Sequence, residues 1–221
     1  MRLIAIGDIH EHVRNLHLLR PHLAGAEAVI VTGDLTNYAG CEKARQVLDA
    51  VRAVHPRVLA QVGNLDQPEV DDFLTSEGLN LHGRGVRLGD VGIAGCGGSN
   101  VTPFSTPIEF GEEEIATFLE RGYASIADAP IRIVVPHCPP RDTKVDRTAG
   151  GLHVGSPAVR AFIERRRPHL VLTGHIHEAR GVDEIDGIPV INAGPLREGG
   201  FVEVIVDGGG IRASLGQLER S

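Results

Sequence analysis

Tryptophan is absent, aromatic residues make up only 4% of the chain, and 221 residues include just three cysteines. With so few rings, the core has to be filled by Val, Ile, Leu and Ala. The cysteines, Cys41, Cys96 and Cys138, are odd in number and show no CxxC spacing, which argues against a disulfide framework and fits a reducing compartment. Cys138 adjoins His137, but reads as a small apolar filler rather than a metal ligand. No apolar run approaches the roughly 20 residues of a membrane-spanning helix. The chain passes from Met1-Arg2 straight into a strand, without the apolar core of a signal peptide, so the cytoplasm is the expected location. Basic residues are also scarce in blocks. Net charge is −7, and the one dense run, Arg165-Arg166-Arg167, falls at a predicted helix end where cations complement the dipole. A polyanion such as nucleic acid is therefore not an expected partner, nor is a membrane.

Glycine is plentiful instead, and the 28 glycines are spread along the chain rather than gathered in a linker. Several follow apolar runs of strand length. Leu3-Ile4-Ala5-Ile6 leads into Gly7-Asp8-Ile9-His10, and Ala28-Val29-Ile30-Val31 into Thr32-Gly33-Asp34. Val58-Leu59-Ala60-Gln61-Val62 leads into Gly63-Asn64-Leu65-Asp66, and the run Ile131 to Val135 into Pro136-His137. Leu170-Val171-Leu172 continues through Thr173 into Gly174-His175-Ile176-His177, where Gly174 is expected to let the backbone turn sharply where a side chain would obstruct it. Five apolar strands thus each finish in Asp, Asn or His. Open α/β sheets hold their ligands at the carboxyl ends of strands, so the five ends point to one shared site.

Between these runs, apolar spacing predicts helices over 11–24, 40–54, 68–76, 111–121 and 156–167. Leu79 to Leu81, Val86 to Leu88 and Val91 to Ala94 read as short strands, and 95–110 and 138–154 as two long irregular stretches. The tail segments 179–185, 188–192, 201–206 and 211–215 alternate like antiparallel strands, with turns at Asp186-Gly187 and Gly208-Gly209. There are no repeats or linkers, and one domain over residues 1–221 is expected. A βαβα-like first half followed by a meander suggests two packed sheets with helices outside.

Carboxylate, imidazole and amide donors suit divalent ions such as Mn²⁺, Fe²⁺ or Zn²⁺. Asp8, His10, Asp34, Asn64, His137, His175 and His177 are too many for one ion and fit two that share a bridging carboxylate. A metal pair of that kind best serves phosphoester hydrolysis. The ordered blocks Gly7-Asp8-Ile9-His10, Gly33-Asp34, Gly63-Asn64-Leu65-Asp66, His137 and Gly174-His175-Ile176-His177 resemble those of the calcineurin-like metallophosphoesterases. The resemblance covers about residues 3–194 and implies an α/β (α+β) fold, a four-layer αββα sandwich of two mixed sheets with flanking helices. It assigns Asp8, His10 and His177 to one metal, Asn64, His137 and His175 to the other, and Asp34 to the bridge. The expected cofactors are two divalent ions, manganese first. The nucleophile would be a hydroxide bridging them.

One position departs from the pattern. Where many members carry a histidine that assists the leaving group, this chain has Leu65, which cannot transfer a proton. Phosphodiesters, or esters with good leaving groups, are therefore expected over a protein-phosphatase role. Asp66 is expected to act behind the metal ligands. The stretches Gly97 to Phe104, Asp146-Arg147 and His153 to Ser156 resemble a prokaryotic subgroup related to cyclic-nucleotide phosphodiesterases, which suggests that they wall the substrate pocket. Asn100 would donate to a phosphate oxygen and His153 would stand in for the missing acid. The alternative for both is service to loop backbone groups. His12, two residues past His10, is a weaker candidate for substrate contact. His17, His22, His55 and His169 read as solvated, and His82 as structural. Two other functions compete with a phosphodiesterase acting on a small phosphoester. A scaffold of the same fold, such as the retromer subunit of the superfamily, would be expected to lose ligands. A nuclease would be expected to add basic surface. A homodimer is consistent with general frequency alone.

Overall fold

Alternation along the first strand already divides the molecule, because Ile4 and Ile6 enter one apolar core while Leu3 and Ala5 enter another. The computed structural model describes residues 1–208 and 210–219. Its strands, in chain order, are β1 (Arg2–Ile6), β2 (Ala28–Val31), β3 (Val58–Ala60), β4 (Gly85–Leu88), β5 (Val91–Cys96), β6 (Ser99–Asn100) and β7 (Glu109–Phe110). They continue as β8 (Ile131–Pro136), β9 (Leu170–Thr173), β10 (Gly181–Ile185), β11 (Ile188–Asn192), β12 (Gly200–Asp207) and β13 (Gly210–Gln217). The α-helices are α1 (Cys41–Arg52), α2 (Glu69–Ser76), α3 (Glu112–Ala124) and α4 (Pro157–Arg166). Among the described residues no helix is long and apolar enough to cross a membrane.

One sheet has the order β13-β12-β1-β2-β3 and the other β10-β11-β9-β8-β5-β4. Strands β1, β2 and β3 run parallel in the first, as do β5, β8, β9 and β11 in the second. The core between the sheets joins Leu3, Ala5, Ile30 and Leu59 to Ile93, Ile133, Leu170 and Leu172. A second core packs the outer face of the first sheet against α1 and α2 through Val47, Leu48, Val51 and Leu74. A third packs the other sheet against α3 and α4 through Ile115, Leu119, Phe162 and Ile163. Helix, sheet, sheet, helix is the expected four-layer αββα order.

Local chemistry sets the helix ends. Ser156 caps α4 by accepting from the Val159 N–H at 3.1 Å, and Pro157 follows at the first helical position. The arginine triplet closes this helix, with Arg165 and Arg166 paired to Glu120, and Arg167 to Asp186. The expected helix over 11–24 is a 3-10 helix, Val13–Leu23, that contains Pro21. Proline has no N–H for the regular α-helical pattern.

Three expectations need correction. Leu79 to Leu81 is not a strand but an extended connection touching Ala60 by a single bridge at Asn80. The 95–110 stretch is not wholly irregular, since β5 runs to Cys96, and β6 and β7 form a short parallel pair within it. The tail is not one meander. β10 and β11 close the six-stranded sheet, whereas β12 and β13 return to pair beside β1. Of the expected Gly208-Gly209 turn, Gly209 lies outside the described residues.

Candidate metal centre

All seven predicted ligands meet where the parallel strands of both sheets end. Asp8 and His10 follow β1, Asp34 follows β2, and Asn64 follows β3. His137 is the first residue past β8, while His175 and His177 follow β9. Asp8, Asp34 and His137 are almost wholly buried, and His177 is partly open. His10 Nε2 lies 3.0 Å from His177 Nε2 and 3.7 Å from Asp34 Oδ2. On the other side of Asp34, His137 Nε2 is 3.4 Å from the same oxygen. Asn64 Oδ1 sits 3.3 Å from His137 Nε2 and 2.8 Å from His175 Nδ1. His177 Nε2 is 3.5 Å from Asp8 Oδ1. Two groups bring their donor atoms within 4.8 Å of one another, Asp8 with His10 and His177, and Asp8 with Asp34 and His137. Asp8 belongs to both groups, and Asp34 stands between His10 and His137.

Backbone conformation at these positions is unusual. Asp8, His10, Asp34 and His175 have φ of 48°, 46°, 51° and 68°. The left-handed region costs an L-residue about 1–2 kcal/mol, and such strain gathers at functional sites. A side chain at Gly174 would be obstructed, as expected: its φ is not positive, but a Cβ there would overlap Asp8 Oδ2, so the glycine permits a close approach. A Cβ on Gly63 would likewise overlap Asp34 Oδ1.

Hydrogen bonds turn the donors inward. His10 Nδ1 donates to Thr36 O at 3.2 Å and His137 Nδ1 to Thr32 O at 3.1 Å, which leaves each Nε2 free to face the centre. The Leu65 N–H donates to Asp34 Oδ1 at 2.9 Å, and the His175 N–H to Asp8 Oδ1 at 3.0 Å. Asp66 lies behind, where it accepts from the N–H groups of Leu35, Thr36 and Gly63 and from the Thr36 hydroxyl. It ties the loop after β2 to the loop after β3 and does not line the cleft. Sequence reasoning missed a further support. Asn64 Nδ2 donates to Thr106 Oγ1 at 3.0 Å, and that hydroxyl donates to Glu109 at 2.6 Å. The Thr106 N–H also reaches Glu109, so the T-x-x-E spacing of a capping box was the available signal.

Electrostatics test whether these residues fit divalent ions. Burial works to raise the Asp8 and Asp34 carboxyls, yet the surrounding histidines hold both below the usual range. Burial alone would depress His137, but the charge of Asp34 raises it to about 9. Burial and the nearby His137 push His175 down to about 4. Burial and the charge of Asp34 raise Asp66 to about 7. A proton on His137 thus does for two buried carboxylates what a cation would do. Asp8 Oδ2 is buried with no hydrogen-bond partner, as suits an oxygen aimed at an ion. Carboxylate, imidazole and amide oxygen together form a donor set for borderline divalent metals. The residues fit.

Above this floor opens a cleft of about 790 Å³, reached by Asp34, Asn64, His175 and His177. Leu65 lines it, as do Asn100, Phe104 and Leu152 from the two long loops. Two loop residues with expected roles have partners within the protein. Asn100 Nδ2 donates to Val154 O at 3.2 Å and so serves the loop backbone. His153 is not among the cleft-lining residues, and its Nδ1 is 2.7 Å from Asp146 Oδ1. His12 is also outside the lining, with Nδ1 on His10 O at 2.7 Å. His82 is buried, accepts from the Gly97 N–H and packs on Phe110 and Phe118. His17 is exposed, whereas His22, His55 and His169 are half-buried. Cys138 is a filler in the apolar layer, and burial pushes its thiol up to about 12.

Residues 1–179 match the calcineurin-like phosphoesterase family. An uncharacterized protein of Methanocaldococcus jannaschii is 32% identical over 201 residues, which cover 88% of each chain. Among solved structures, TT1561 of Thermus thermophilus superposes with a TM-score of 0.71 at 18% identity, over 99% of both chains. A novel archaeal phosphodiesterase gives a TM-score of 0.51 at 15% identity, over 97% of this chain and 99% of that one. At such identities these structures speak for the fold alone, and the family rests on sequence. The chain belongs to the calcineurin-like phosphoesterases, a metal-dependent family.

Proposed function

We propose that the chain is a dinuclear metal-dependent phosphodiesterase acting on a small phosphodiester, with manganese as the working metal. The observation that carries this reading is the convergence of two buried carboxylates, an amide oxygen and four imidazoles at the floor of one cleft. Seven donors exceed the needs of one ion and suit two that share a carboxylate. Asp8, His10 and His177 would hold one ion, Asn64, His137 and His175 the other, and Asp34 both. Bound ions supply positive charge that activates water and offsets the charge that develops on phosphoryl oxygens.

The chain's own residues have narrower tasks. Thr32 and Thr36 fix the His137 and His10 tautomers through their carbonyls, and the Leu65 N–H orients Asp34. Leu65 lines the cleft and has no proton to give. A general acid there would contribute roughly 10²–10⁴-fold, so its absence favours leaving groups that depart unprotonated and, with them, diesters. A scaffold needs no such donor set, and this chain keeps every predicted donor.

Hydrolysis of bis(4-nitrophenyl) phosphate and 4-nitrophenyl phosphate by metal-stripped protein, with Mn²⁺ added back, tests the reading. Turnover should require metal, be faster on the diester, and vanish in His177→Ala. Metal binding without cleavage of either ester would overturn it.

A further inference from the structure

Among the described residues six large hydrophobic side chains are exposed, and four of them, Tyr38, Val101, Phe104 and Leu152, line the cleft above the candidate metal centre. Val101, Phe104 and Leu152 are 72%, 79% and 69% exposed. Apolar groups gathered at the mouth of a polar site mark a surface that meets a ligand. The cleft is also far larger than a phosphate group requires.

Polar side chains of the same wall are already engaged within the protein. The Thr102 hydroxyl donates to Glu109 and accepts from the Phe104 N–H. Thr106 donates to Glu109 and accepts from Asn64. Thr148 exchanges bonds with the backbone of Leu152. Asn100 donates to Val154 O, while its Oδ1 is shut away from solvent. The exceptions are the Tyr38 hydroxyl at the rim, the exposed Glu178 carboxylate, which accepts from the Ala149 N–H at 3.3 Å, and Arg141, whose guanidinium lies 3.8 Å from the Asp142 carboxylate. A sugar or a base laid along this wall would lose water from its polar edges and find few partners, which is costly. An apolar group would lose nothing there.

We infer that the substrate of this site is a phosphoester carrying a bulky apolar arm, aliphatic or aryl, that lies along Val101, Phe104 and Leu152. This rests on the phosphodiesterase reading and narrows its substrate. In the reaction water adds to phosphorus and the P–O bond to the leaving alkoxide or phenolate breaks. The attacking water gives up its proton to solvent, a departing alkoxide takes one up from solvent whereas a 4-nitrophenolate stays ionised, and the apolar arm can remain on the phosphate.

A series of 4-nitrophenyl alkyl phosphates with methyl, butyl and octyl arms holds the leaving group constant, and phenyl and thymidine 5′-(4-nitrophenyl) esters extend it. With Mn²⁺-loaded protein, kcat/KM should rise about 10- to 100-fold from methyl to octyl, as expected if roughly two to three of the added methylenes are buried, and the thymidine ester should fall below octyl. Comparing phenyl with octyl distinguishes an aryl from an aliphatic arm. Phe104→Ser combined with Leu152→Ser should bring the octyl-to-methyl ratio close to one. An equal rate across the arms, or a preference for the thymidine ester, would overturn the inference. Calorimetric titration with octylphosphonate and methylphosphonate gives a readout free of turnover, and octylphosphonate should bind at least about tenfold tighter. If no ester is cleaved but that preference exists and disappears in the double variant, the apolar-arm site stands and the phosphodiesterase reading falls. If esters are cleaved and the phosphonates bind equally, the reverse holds.

Discussion

The floor and the wall of the cleft are built on opposite principles. The floor is buried, densely hydrogen-bonded and held in left-handed backbone conformations at Asp8, His10, Asp34 and His175. The wall exposes Val101, Phe104 and Leu152 on loops whose polar groups face back into the protein. Strain is tolerable on the floor because two sheets fix the strand ends from which it grows. The contrast suggests a division of labour, with chemistry set where the backbone cannot move and selectivity where side chains meet solvent.

Breaking the floor should have the largest effect. Asp34→Ala should cut hydrolysis by about three orders of magnitude or more, because both ions would lose a shared carboxylate. Elemental analysis of the purified variant should find both ions depleted. Thr106→Val sharpens the comparison, since Thr106 is a wall residue that holds a floor ligand. Metal affinity should fall about 10- to 100-fold, as it does when a ligand's hydrogen-bond partner is removed. Thr102→Val, which touches Glu109 but not Asn64, should leave that affinity nearly unchanged in the same titration. Leu65→His would place a proton donor between the two regions and should raise the monoester-to-diester ratio of kcat/KM by about tenfold.

The smallest effect concerns the carboxylate behind the wall. Burial works to raise the Glu109 carboxyl, but hydrogen bonds from Thr102 and Thr106 outweigh it and lower the group from 4.5 to about 2. A carboxyl depressed by folding stabilises the folded state above pH 4.5 and loses that contribution as pH falls towards 2. Thermal melts of Glu109→Gln across that window should show a shallower acid decline than the parent. Parallel curves would mean that the carboxylate is not engaged in solution.

The convergence of the floor residues was legible in the sequence because each candidate ligand lies within a few residues of an apolar strand end. Asp8, Asp34, Asn64, His137 and His175 are spaced by the strands themselves, while the four-layer order was implied by the family resemblance and fits the unbroken apolar run Leu3 to Ile6, which is buried on both faces. The wall was not legible. Whether Asn100 faces a phosphate or Val154 depends on a contact between loops 54 residues apart, and whether His153 faces the cleft or Asp146, seven residues away, depends on the path of an irregular loop. Local periodicity carries no information on such pairings. The tail misled for a related reason, as hairpin spacing predicts that β12 pairs with β13 but not which sheet receives them.

The division of the tail between sheets has a consequence for any shortened version of the chain. A fragment ending at residue 179, where the family match stops, would retain every candidate ligand. It would lose β12, which flanks β1, and β11, which flanks β9. The two strands that lead into Asp8 and His177 would then become bare edges of neighbouring sheets, rich in Leu, Ile and Val. Unprotected edges of that kind recruit other chains, so such a fragment should aggregate before it could be assayed, although it would hold the whole donor set.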